Sequence, residues 1–276
     1  VIRRTARAAL SVLAALVVAA CASPAPKPAP TPTAPAATAT PPAEPPPPTE
    51  TETENAHATA PAPAPQEAPP PAIRLPSGIE VDRAAGEVRV PAFVACREGF
   101  LEQIACLAGT REHESLLVTE TKPSDVHAAL LLLGLEPGAP GSWTLDGDAV
   151  KVTPPRGPRV ELAIAFEAGG TRREVPLASW VRGADGRAFA GSWVFSGSRF
   201  AKNPKSWGEG EHYVADFSGS LAGLVTFGDE TLAATTVIPD QIDVEAANWQ
   251  SWTERMPAEG TPATFIIRRA APSAAP

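Results

Sequence analysis

The side chains with the most chemical potential in this 276-residue chain fall close together: Cys106, His113, Glu114 and His127. Thiolate and imidazole nitrogen are zinc ligands, and a neutral imidazole beside a carboxylate can move a proton. Their spacing matches no standard zinc pattern. If Glu112-His113-Glu114 lies on a strand, His113 faces one side and both glutamates the other, so the triplet is not compact. His127 falls in the first turn of an expected helix, where the positive dipole end disfavours an imidazolium. Two readings follow. The four residues form a metal or ligand site, or the two histidines hydrogen-bond across a strand–helix junction and fix how the helix lies on its sheet. The second asks less of the spacing.

Other chemistries have thinner support. Glu102 and Glu114 could pair as acid and base, with nothing in the sequence to set their separation. Ser192, Ser196, Ser198 and Ser220 sit among glycines, but no G-x-S-x-G elbow frames them. No H-E-x-x-H, phosphate loop or dinucleotide fingerprint occurs either, so no catalytic residue is assigned and the balance leans away from an enzyme. Cys96 and Cys106 are a disulfide candidate in an exported chain, worth roughly 3 kcal/mol by loop entropy. A tight hairpin at Arg97-Glu98-Gly99 would not set them opposite each other, and two buried thiols are the alternative. Two thiolates cannot hold an ordinary iron–sulfur cluster, so no cofactor is expected and a metal stands only as the weaker alternative. Trp193, Phe195, Phe200, Trp207 and Tyr213 crowd one region with Arg199, Lys202 and Lys205. That suits a recognition face for a polymer or peptide, or simply core packing.

The ends of the chain suggest where this chemistry would operate. Arg3, Arg4 and Arg7 precede an apolar run at 8–20 and then Val18-Ala19-Ala20-Cys21. Residues 1–20 read as a signal peptide too short to span a bilayer, and small residues before Cys21 as a lipidation box. Two or three acyl chains on Cys21 would anchor the protein to a membrane. Ala22 after the cysteine favours the outer membrane, with the chain facing the periplasm. Residues 22–72 hold more than half of the chain's 33 prolines and no aromatic or large aliphatic side chain. Such a segment cannot offset its chain entropy by burial and reads as a disordered tether. In polyproline II it would reach on the order of 150 Å. The net charge of −8 is dispersed and no basic patch points to nucleic acid. The partners expected are the membrane, through the anchor, and an envelope polymer or protein.

Residues 73–270 read as the globular part, followed by a disordered tail at 271–276. The helix over about 124–133 is the clearest element: Ser124 can cap it, Asp125 suits its positive end and Gly134 stops it. "HESLLVTET" reads as a strand. "WTLDGDAVKV" has an Asp-Gly turn between two short runs. "RVELAIAFEAGGTRREVP" reads as a hairpin with Val160, Leu162, Ile164 and Phe166 on one face. The fold class is α+β, mostly antiparallel sheet with one clear helix and few others.

Several motifs carry a family resemblance. These are Val81-Asp82-Arg83, Glu98-Gly99 with Leu101-Glu102, His113-Glu114-Ser115, and Lys122-Pro123-Ser124-Asp125 running into His127-Ala128-Ala129-Leu130. "WVFSGSRF" and "GTPATFII" follow later. Together they resemble the YdjY-domain family of bacterial proteins across most of residues 79–268. The resemblance implies a lipoprotein setting, in accord with Cys21, and no particular activity. Some members bear a ferredoxin-like label, from which this chain departs because it lacks the cysteines.

Overall fold

The computed structural model describes residues 71–245 and 248–271. The expected signal peptide, Cys21, His57, nearly all of the tether and the tail from 272 lie outside them. Alternating apolar residues build eight principal strands. They are β1 (Glu87–Val94), β2 (Gln103–Leu107), β3 (Ser115–Thr119), β4 (Arg159–Ala168), β5 (Trp193–Phe195), β6 (Ser220–Gly223), β7 (Leu232–Ala234) and β8 (Pro262–Arg269). Their pairing runs β1-β8-β4-β5-β7-β6-β2-β3 and returns to β1 through Phe93↔Val118 and Val94↔Leu117. The sheet is therefore a closed eight-stranded barrel. Six of its seams are antiparallel, and β7–β6 and β2–β3 are parallel.

Strand alternation fills the interior. Val88, Val90, Leu162, Ile164, Phe265 and Ile267 belong to one continuous buried cluster with Ile104, Leu117 and Phe195. A ring of eight strands is just wide enough for side chains to fill. Outside the barrel, Ile266 packs with Ala163 and Ala165 in a small second cluster. Beside it Glu87, only 4% exposed, takes Arg89 and Arg268 as ion partners. Arg268 also reaches Glu174 at 2.7 Å.

The α+β expectation therefore gives way to a predominantly β fold. Helix α1 (Pro123–Leu132) is the long helix foreseen from the sequence, and α2 (Val214–Ser218) is one short turn. Val126, Ala129 and Leu130 of α1 enter the barrel core. Its N-terminus is held differently from expectation. Pro123 opens the helix, and Asp216 of α2 accepts from the Ser124 N–H at 2.8 Å and its hydroxyl at 2.6 Å. At the other end Arg83 and Arg269 donate to the Leu132 and Leu133 carbonyls at 2.9 and 2.7 Å. Opposite charges thus match both poles of the helix dipole.

Two hairpins form as the sequence indicates. Ser142–Asp146 pairs with Ala149–Thr153, and β4 pairs with Thr171–Pro176 across Gly169-Gly170, both at positive φ. "HESLLVTET" departs from expectation. Glu112–Glu114 is a 3-10 turn and the strand starts at Ser115. The Glu112 carboxylate folds back onto the Gly109 N–H, a local bond that competes with strand pairing.

Gly157 shows how tightly the barrel rim is joined. It sits at φ +147, and a Cβ there would overlap the Phe195 carbonyl oxygen, which already accepts from the Gly138 N–H at 3.0 Å. Gly157→Ala is expected to lower unfolding free energy by about 2 kcal/mol or more. Urea melts at constant m-value would measure this, and an unchanged midpoint would refute the rim constraint.

Candidate functional site

His127 is placed by α1 against the far side of the barrel rim. Its Nδ1 lies 2.9 Å from the Tyr213 hydroxyl. That hydroxyl also donates to the Gly197 carbonyl at 2.9 Å and lies 3.1 Å from Thr231 Oγ1. One hydroxyl proton serves one acceptor. With Gly197 as that acceptor, His127 carries its proton on Nδ1 and Thr231 donates as well. Phe195 and Tyr213 meet the imidazole edge-on at 5.0 and 5.4 Å. Burial pushes the His127 pKa down, so the ring is neutral, and burial pushes the Tyr213 phenol above its ordinary value. A phenol so held is a poor acid. The cluster joins α1, the Ser196–Ser198 turn, β7 and the segment leading into α2. It is a junction, but not the expected one between His127 and His113. Ser198 in that turn adopts φ 53, a left-handed conformation unusual for a non-glycine.

His113 takes no part. Its side chain is 78% exposed on the 3-10 turn, 3.8 Å from Glu114. Cys106 is fully buried in β2, where burial raises its thiol pKa. Among the described residues no three of His, Cys, Asp and Glu converge as a metal would require. The proposed set of Cys106, His113, Glu114 and His127 is therefore not brought together.

Cys96 and Cys106 are both free thiols. The Cys96 N–H pairs with Ser115 O on one flank of β3, and Cys106 is opposite Val118 on the other. Three positions along a strand is ~10 Å, with two strand spacings to cross. A disulfide needs Cα atoms within about 7 Å. The Cys96 thiol instead donates to Glu98 O at 2.9 Å.

Glu102 and Glu114 do meet. The Glu102 N–H donates to the Glu114 main-chain carbonyl at 2.9 Å. Burial first, then the Glu114 carboxylate, push the Glu102 pKa up to about 7, against the opposing pull of Arg111. Arg111 lies 3.4 Å from Glu102 and 3.9 Å from Glu114, with its guanidinium 3.8 Å over the Phe227 ring.

The aromatic region divides. Trp193, Phe195 and Tyr213 are buried, while Phe200, Trp207 and Phe217 are 65, 49 and 66% exposed. Trp207 stacks edge-on against both His212 and Phe217 at 5.2 Å, and Phe200 against Tyr213 at 5.4 Å. Phe200 and Tyr213 are cross-strand partners, so Phe200 lies on one side of their ladder and His212, with Trp207 and Phe217, on the other. Arg199, Lys202 and Lys205 are exposed around it. Phe217 escapes sequence reasoning because α2 is too short to show periodicity.

The family model of the YdjY domain matches residues 79–268. The chain belongs to the YdjY-domain family. The matched span takes in all eight barrel strands, so here the YdjY domain and the closed barrel coincide. Among curated proteins and solved structures, none matches the chain.

Two outcomes are expected. The folded-state pKa of Glu102 lies above the ordinary 4.5, so its contribution to stability is complete below that value and is lost as pH rises through about 7. Glu102→Gln cannot ionise. It should raise stability relative to the parent at pH 8 by on the order of 2 kcal/mol, and little at pH 4. Burial also lifts Glu230 to about 7, so the variant should retain part of the pH slope. Denaturant midpoints across pH 4–8 test this, and equal parent and variant slopes would refute the raised pKa of Glu102. Tyr213→Phe should cost about 1–3 kcal/mol by leaving buried partners unpaired. It should also loosen the aromatic face, read as faster amide exchange at 200–217; unaltered exchange and stability would count against the junction.

Proposed function

We propose that this YdjY-domain protein is a binding module of the bacterial cell envelope, anchored through lipid on Cys21 and held off the membrane by residues 22–72. The reading rests on one observation: the exposed pair Trp207 and Phe217, packed edge-on with each other and with His212 beside the Tyr213 end of the junction. Large rigid side chains present contact area at little entropic cost, and a cluster of them in water marks an interaction surface. Lysines around the rings suit a polymer that carries both apolar faces and acidic groups, such as a cell-wall glycan with its peptides. The outer membrane, facing the periplasm, is the location that fits Ala22 after Cys21.

Hydrolysis of the same polymer is the competing reading, with Glu102 and Glu114 as acid and base. Its support is the raised pKa of Glu102, about 7, beside Glu114. Arg111, 3.4 and 3.9 Å from the two carboxylates, already serves both as an ion partner, which favours a structural role for the pair over glycoside cleavage.

Co-sedimentation of the full chain with purified cell-wall sacculi tests the module. Trp207→Ala with Phe217→Ala should reduce the bound fraction at least about tenfold while the thermal melt stays put. Undiminished binding would overturn the aromatic face as the contact. Cys21→Ala should abolish incorporation of radiolabelled palmitate and release the protein from the membrane fraction; retained label would overturn the anchor.

A further inference from the structure

The barrel wall has a fork. On one side β4 pairs continuously with β8, from Phe166↔Ala263 to Val160↔Arg269. On its other side the partner changes. Arg159 and Val160 pair with β5, and Ala163 to Ala168 pair with the strand Thr171–Pro176. Glu161 and Leu162 have no partner strand there. Pro176 ends one prong, because it has no N–H to extend the ladder and the chain turns at once into the 3-10 segment Leu177–Trp180.

Between the prongs lies a slot of about 330 Å³. Val160, Leu162, Val175, Pro176, Ala178 and Trp193 give it an apolar lining. Successive residues of an antiparallel strand direct their N–H and C=O to opposite sides. One of Glu161 and Leu162 therefore turns a donor and an acceptor into the slot. An apolar hollow with a few convergent polar groups has the make-up of a ligand site, and an unmatched strand edge has the make-up of a peptide site.

Charge narrows the occupant. Glu161, Glu174 and Arg268 border the slot. Arg268 is already divided between Glu87 at 2.6 Å and Glu174 at 2.7 Å. Glu161 is exposed, and among the described residues no cationic side chain pairs with it. The mouth is thus net negative with one free carboxylate.

We propose that this slot docks an extended peptide segment, with an apolar side chain inserted between the prongs and a flanking basic residue meeting Glu161. The peptide backbone takes the donor and acceptor left open by the fork. The slot is built from residues other than those of the aromatic face, so its occupancy is independent of polymer binding there.

The test titrates the ¹⁵N-labelled full chain with the capped tripeptide Ac-Lys-Leu-Lys-NH₂. Amide shifts should concentrate at 160–163, 175–178 and 191–193. Ac-Glu-Leu-Glu-NH₂ should bind at least about tenfold more weakly. Ala178→Trp, which fills the slot, should abolish the shifts. Glu161→Gln is a surface change that leaves packing intact; it should weaken binding about threefold and flatten its salt dependence. Shifts confined to other residues, equal binding of the acidic tripeptide, or no response up to about 10 mM would each overturn the proposal.

Discussion

Everything in this domain depends on a short seam. Phe93↔Val118 and Val94↔Leu117 are the residue pairs that join β1 to β3 and turn an eight-strand path into a ring. Side-chain and flanking main-chain bonds reinforce it. Thr119 Oγ1 donates to Pro91 O at 2.6 Å, and the Ala95 N–H donates to Leu116 O at 2.9 Å. Closure removes the long open edges that a sheet of this length would otherwise expose. It also gives α1 a fixed surface, and with it the position of His127.

The rim then acts as a set of clamps. Asp216 holds one pole of α1, and Arg83 and Arg269 hold the other. Asp216 belongs to α2, which follows Tyr213 directly and carries Phe217. The residues that orient the helix are thus covalently continuous with those that face outward. Glu102 plays a comparable part nearby: its carbonyl accepts from the Leu224 and Val225 N–H groups, and its N–H reaches Glu114. A single residue ties β2, the 3-10 turn and the loop after β6.

Legibility in the sequence followed contact distance. The helix at 124–133 and the hairpins at Asp146-Gly147 and Gly169-Gly170 rest on local signals, and each formed within a residue or so of its expected place. The inward row Val160, Leu162, Ile164 and Phe166 was equally readable, since alternation needs no knowledge of the partner strand. Ring closure was not, because it takes the β1–β3 seam together with a β8 that meets β1 across some 170 residues, and no local pattern encodes either register. The site shows the same division. Because the 3-10 turn leaves His113 exposed, His127 does not form the expected hydrogen bond with it. Its partner Tyr213, the Glu102–Glu114 contact and the exposure of Phe217 depend on which segments the barrel brings side by side. The Cys96–Cys106 bridge failed for a related reason: closeness in sequence placed the two on opposite flanks of one strand.

The position of β8 carries a consequence for how the domain comes into being. This strand lies between β1 and β4 and makes the longest pairings in the sheet, yet it is the last of the eight in the chain. Until residues 262–269 emerge from the ribosome, β1 and β4 lack their common neighbour and the ring stays split. The N-terminal strands cannot settle in order of synthesis, so acquisition of the native state is a late, concerted event dominated by sequence-distant contacts. A ring that closes on its last strand is also one that a shortened C-terminus leaves open along both β1 and β4.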